Sequence, residues 1–161
     1  MRNQKSSLEK HLTQKVDKDY PFLAMDPSAS LAVGEKYQKA IKPKECYDNI
    51  VRLLLDTDIM ASSPKLRVAF GGVESIGGLF VRHAFFFDTD SGKVVDPTLS
   101  KTRAGEVRRY LIAVDFSFDE FLESMAKFES ADPEINLDVR KKWNTCSLGV
   151  FSTEWLLWAK R

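Results

Sequence analysis

The segment GGLFVRHAFFFDTDSGKVVDPT, residues 77–98, constrains the fold more than any other part of the chain. Two runs rich in aromatic and β-branched residues flank the polar, glycine-ended TDSG of Thr89–Gly92, the pattern of a β-hairpin. Phe85, Phe86 and Phe87 are consecutive, so the first strand carries apolar side chains on both faces and reads as covered on both sides. If TDSG is the loop, Asp88 faces Lys93, Phe85 faces Asp96 and His83 faces Thr98. His83 and Asp96 then lie on one sheet face as diagonal neighbours, about 7–8 Å apart at the backbone and within reach of a side-chain hydrogen bond. A slip of one residue would separate them to opposite faces.

Upstream, ECYDNIVRLLLD follows Pro43, which can stand at a helix start but not inside a helix. Cys46, Ile50, Leu53 and Leu54 recur at helical spacing, which predicts a helix with Cys46 in its first turn. A thiol attacks carbonyl carbon only as the thiolate. A helix N-terminus favours that state through its partial positive charge and unpaired amides, a histidine can take the proton, and a carboxylate can orient the histidine. Cys46, His83 and Asp96 are therefore the candidate catalytic residues. Asn49, one helical turn beyond Cys46, is a candidate orienting residue, and a solvent-bonded asparagine is its plainer reading. For the other three the plain readings are a buried inert cysteine, a satisfied core histidine and a strand-ending Asp-Pro turn.

Elsewhere LRVAF reads as a strand closed by Gly71 and Gly72, and RRYLIAVDF as a third strand. Ser117 with Glu120 three residues on forms a capping box before the apolar stripe Phe118, Phe121, Leu122, Met125 and Phe128. Strands joined antiparallel and flanked by helices predict an α+β domain. With 161 residues, 43% of them hydrophobic, the chain is long enough for one such core. Residues 1–20 are polar; the spacing of Leu8, Leu12 and Val16 allows a short helix, and a mobile lead-in fits equally. The expected organisation is this lead-in followed by a single domain over 21–161.

The net charge of +1 argues against a nucleic-acid binder. No CxxC pair or Cys/His cluster has metal-ligand spacing, and no cofactor motif is present; Gly71, Gly72, Gly77 and Gly78 read as turns, since no GxxxxGK[ST] pattern accompanies them. His11 reads as a surface residue, Cys146 as a thiol without a histidine in sequence context, Trp143, Trp155 and Trp158 as core, and Arg103 with the VRRY run as a solvated face. Apolar runs fall short of the ~20 residues of a membrane span, and the polar start lacks a signal-peptide pattern, so a cytoplasmic setting is expected.

Over residues 44–125, the segments ECYDNI, GG to HAFFFD, KVVDPT and RRYLIAVDFSFDEFLE resemble small bacterial and phage proteins with a Cys…His-Ala…Asp-Pro-Thr pattern. These resemble in turn the transglutaminase-like branch of the papain-like superfamily. The resemblance implies an antiparallel sheet packed against the helix that carries the cysteine, and a Cys46–His83–Asp96 triad. The papain-type oxyanion glutamine has its nearest counterpart in Gln38, well before the cysteine. The resemblance implies thiol-dependent acyl transfer, or hydrolysis of an amide or thioester, on a protein or peptide substrate. Two alternatives accompany it: a non-catalytic protein-binding module on the same scaffold, and a peptidoglycan amidase, a chemistry that normally requires export.

Overall fold

The computed structural model describes residues 22–74, 80–102, 108–132, 136–139 and 141. The expectations for the lead-in, His11, Gly77, Gly78, Arg103, Cys146 and the three tryptophans lie outside these residues.

The domain is α+β, as expected: helices packed on an antiparallel sheet. In chain order its elements are β1 (Leu23–Ala24), α1 (Pro27–Lys36), α2 (Cys46–Asp56), α3 (Ile59–Ser62), β2 (Leu66–Glu74), β3 (Phe80–Asp88), β4 (Lys93–Val95), α4 (Pro97–Thr102), β5 (Arg109–Phe116) and α5 (Phe118–Phe128). The strand order is β1-β5-β2-β3-β4, with every neighbouring pair antiparallel. The sheet curls until one short segment serves both of its edges. Leu23 and Ala24 pair with β5, and the next residue, Met25, bridges Val94 of β4. The Asp26 N–H then donates to the Val94 carbonyl at 2.8 Å.

The curl separates two apolar cores. Ala69, Val73, Phe85, Val94 and Tyr110 fill the inside, while Val68, Phe70, Ala84, Phe86 and Leu111 meet the helices outside. Alternation along each strand divides the residues this way. Helix α2 contributes Ile50, Leu53 and Leu54 to the outer core, and Tyr47 stacks on Phe70 with ring centroids 5.9 Å apart. Helix α5 adds Phe118 and Phe121. Among the described residues no helix is long and apolar enough to cross a membrane.

The hairpin register is the one its loop dictates. Asp88 opposes Lys93, Phe87 opposes Val94 and Phe86 opposes Val95. The Asp88 carboxylate holds the loop by accepting from the Asp90 amide and the Ser91 hydroxyl, each at 2.9 Å. Gly92 supplies the positive φ of 66° that the turn needs.

Two local expectations are corrected. Strand β2 does not close at Gly71 and Gly72 but runs through them to Glu74. Phe70 opposes Val114 and Gly71 opposes Ile112, so Ala113 is the extra residue of a bulge in β5. The glycine is there for close approach, since a Cβ on Gly71 would lie 1.8 Å from the Leu111 carbonyl oxygen. The strand that begins at Lys93 also stops early. Pro97 has no N–H for a ladder, and the chain turns there into α4 instead of pairing Thr98 with His83.

The capping box of α5 is complete. Ser117 Oγ accepts from the Glu120 amide at 3.2 Å, and Glu120 Oε2 accepts from the Ser117 amide at 2.7 Å. Ser117→Ala is expected to cost about 1 kcal/mol, a fall in Tm of about 2–4 °C by calorimetry.

Candidate active site

Three separate constraints place the candidate triad. His83 lies on β3 opposite Gly71. It shares the inner face with Phe85, on which its ring stacks at a centroid distance of 6.1 Å. Asp96 is the first residue beyond β4, where the chain breaks from the sheet. Its side chain closes the turn into α4, Oδ1 accepting from the Thr98 and Leu99 amides at 3.0 Å each. Its own N–H donates to Ser30 Oγ at 2.9 Å, and that hydroxyl donates on to the Asp26 carbonyl at 2.6 Å.

The pair predicted from the hairpin register is formed: His83 Nε2 and Asp96 Oδ2 are 2.7 Å apart. Asp96 Oδ2 also accepts from the Tyr110 hydroxyl at 2.9 Å. The carboxylate thus receives four hydrogen bonds while wholly buried, and His83 is 6% exposed. A buried anion so well supplied with donors stays ionised.

Cys46 is the first residue of α2 and carries a free, partly exposed thiol. The helix does not cover the sheet face that bears His83. It packs on the outer face, with Ala84 and Phe86, while His83 belongs to the inner one. The thiol and the imidazole interact nonetheless. Strand β4 ends at Val95 opposite Phe86, so among the described residues its ladder with β3 stops there. The sulfur lies near the His83 ring and the Ala84 backbone, and both act on its charge. Nε2 is engaged by Asp96, which leaves Nδ1 for the thiol.

The electrostatics follow from this contact. Burial alone would push the Cys46 thiol up. The His83 charge and hydrogen bond, with the Ala84 backbone, outweigh burial and hold it below its ordinary value, against a smaller opposing push from Asp96. Burial would likewise lower His83, but the charges of Asp96 and Cys46 raise it from 6.5 to about 10. Asp96 is held below the usual carboxylate range: burial acts against this, and His83, the Leu99 amide and the Tyr110 hydroxyl prevail. Burial and the adjacent Asp96 charge raise Tyr110, which keeps it a donor. These shifts favour the thiolate–imidazolium pair over the neutral one, beside an ionised carboxylate.

No family model, curated protein or solved structure matches the chain.

The remaining candidates lie elsewhere. Asn49 neither faces solvent nor points at the sulfur. It is wholly buried, and its amide binds Lys42, Arg52 and Thr98. Gln38 is exposed in the turn after α1, on a groove lined by Lys36, Tyr37, Arg52 and Asp56 that includes none of the triad. Lys44 takes a left-handed φ of 66° just before the cysteine, a strained link that turns the chain into α2. Glu45, at the N-cap of α2, does not cap it; its carboxylate pairs with Arg52 at 2.9 Å. Among the described residues no group of His, Cys, Asp and Glu has a metal-binding arrangement.

Tyr110 is the site residue that the sequence reading missed. Within RRYLIAVDF it is one apolar strand residue among several, and β5 lies two strands from β3. Only the curl of the sheet carries its hydroxyl across the inner core to Asp96. The one available signal was alternation, which sets Tyr110 on a strand face where a phenol needs a buried partner.

Proposed function

We propose that this protein is a thiol-dependent acyl-transfer enzyme with Cys46 as nucleophile, His83 as acid and base, and Asp96 as the group that fixes His83, in an arrangement of the papain-like and transglutaminase-like kind. The observation that carries the reading is the buried, four-fold hydrogen-bonded Asp96 carboxylate paired with His83, whose other face meets a thiol held below its ordinary pKa. The substrate class is a protein or peptide amide, or a thioester.

The Cys46 thiolate adds to the carbonyl carbon, forming a C–S bond as the carbonyl π pair moves to oxygen. The first-turn amides of α2, which receive no side-chain cap from Glu45, are the donors available to that oxyanion. Collapse of the adduct expels the amine or thiol, which takes its proton from the His83 imidazolium. Neutral His83 then removes a proton from water or an acceptor amine as it attacks the thioester, and Cys46 leaves as thiolate. Asp96 stays ionised throughout and keeps Nε2 bound.

Alkylation of Cys46 by iodoacetamide across a pH series tests this. The expected result is a rate that levels off below the ordinary thiol range, because the thiolate persists there. A rate that climbs about tenfold per pH unit up to the ordinary thiol value would remove the basis for the proposal. The position of Gln38 favours one second reading, a binding module that retains the triad without turnover. Recovery of the same partner by wild type and by Cys46→Ala, from a sample in which the wild type modifies nothing, would select it.

A further inference from the structure

Asn49 fills its hydrogen-bonding capacity in an instructive way. Its Oδ1 accepts from the Lys42 amide at 2.8 Å and from Arg52, and its Nδ2 donates to the Lys42 carbonyl at 2.8 Å and to Thr98 Oγ1 at 2.9 Å. Two acceptor sites and two donors are all that a primary amide has. The pair of bonds to Lys42 fastens the chain entering Pro43 and Lys44 to the first turn of the cysteine helix. The bond to Thr98 leaves that helix altogether. Thr98 is almost fully buried, and its own amide donates to Asp96 Oδ1 at 3.0 Å.

A continuous path therefore joins the two halves of the site. It runs from Cys46 along one turn of α2 to Asn49, through its side chain to Thr98, through the Thr98 amide to Asp96, and from Asp96 to His83. Besides this path, α2 meets β3 through the outer core, where it packs with Ala84 and Phe86, and through the interaction of Cys46 with His83. Helix α2 packs on the outer core and His83 lies on the inner face, so the outer packing alone leaves the distance from sulfur to ring unset.

We propose that the Asn49–Thr98 hydrogen bond is the strut that holds the Cys46 sulfur against the His83 ring, and that Asn49 and Thr98 are positioning residues. The inference rests on the thiolate reading above. Thr98→Val removes the acceptor and keeps the branched shape, the Thr98 main-chain bond to Asp96 and the Asn49–Lys42 clamp. Thr98→Ser restores the hydroxyl. The titratable groups around the sulfur are His83 from β3 and Asp96 from beyond β4; on its own helix Glu45 is turned to Arg52 and Asp48 is exposed.

The test pairs iodoacetamide labelling of Cys46 with NMR titration of the His83 ring, on full-length protein. For Thr98→Val the expected result is labelling slowed about tenfold or more near pH 6.5, since each unit of thiol pKa regained cuts the thiolate about tenfold. His83 should still titrate above an ordinary imidazole, because its bond to Asp96 is untouched, and Thr98→Ser should label like wild type. If Thr98→Val does not fold, Thr98→Ala makes the same comparison with less bulk. Wild-type labelling in the variant overturns the strut. So does loss of both signals together without rescue by serine, which marks a structural role only. Ordinary-thiol labelling of the wild type itself would instead overturn the enzymatic reading.

Discussion

Asp96→Asn is expected to do more damage than any other single change at the site, to stability and reactivity together. The wild-type carboxylate accepts from His83, Tyr110 and the Thr98 and Leu99 amides without solvent contact. An asparagine has one oxygen to offer these donors, and its NH₂ must face the rest. Removing one partner of a buried ion pair costs about 3–5 kcal/mol. In a chain of 161 residues this is a fall in Tm on the order of 10 °C. Burial, no longer opposed by the Asp96 charge, then lowers His83, and Cys46 returns toward a neutral thiol. Turnover is expected to fall by about 10,000-fold, the size of the same change in a serine triad. Calorimetry and labelling rates read the two effects separately. A variant as stable and as reactive as wild type would show that the carboxylate sets neither.

The same charges give the fold a defined pH dependence. His83 has a folded pKa of about 10, above its ordinary 6.5, so its contribution is fully present below about 6.5 and is lost as pH rises through about 10. Asp96 shifts the other way. Its contribution is present above 3.8 and is lost as pH falls through its lower folded value. Asp96→Asn is expected to flatten both limbs in denaturation curves taken across pH.

Gly71→Ala is the second large effect. The added Cβ would fall 1.8 Å from the Leu111 carbonyl oxygen and 2.8 Å from its carbon, both backbone atoms of β5 that no rotamer change can move. The bulge at Ala113 must then open, at a cost of about 3 kcal/mol or more. Gly71 is also the cross-strand partner of His83, so the displacement reaches the site. The expected outcome is a lower denaturant midpoint together with slower labelling of Cys46. Gly72→Ala, one residue along the strand, is the natural comparison.

What could be read from the sequence was local. The TDSG loop set the hairpin register because a side-chain period of two makes any slip costly, and it brought His83 and Asp96 together. The capping box at Ser117 and the helix from Cys46 were legible for the same reason: their signals lie within a few residues. The strand stop at Asp96 was half legible. Pro97 forbade a ladder bond, but the helix that follows depends on the Asp96 side chain binding the Thr98 and Leu99 amides. Helix α1 carried little periodic signal, with Ser30 and Gly34 as its buried residues. Its start is set by Asp26, whose carboxylate accepts from the Ala29 amide, and by Pro27 in the first turn. The curl of the sheet, the route of Tyr110 to Asp96 and the packing of α2 on the outer face were out of reach. They arise from pairings between distant segments, which one sequence does not encode in any short pattern.

The curled sheet also bears on how the protein stays apart from its neighbours. An uncovered strand edge is a template on which another chain can add a strand. Here Leu23 and Ala24 cover β5, and Met25 and Asp26 cover β4 at Val94. The segment that leads into α1 thus also shields the sheet from edge-to-edge pairing. Chains in which residues 23–26 have been drawn away from β4 and β5 are the ones expected to pair edge to edge and come out of solution.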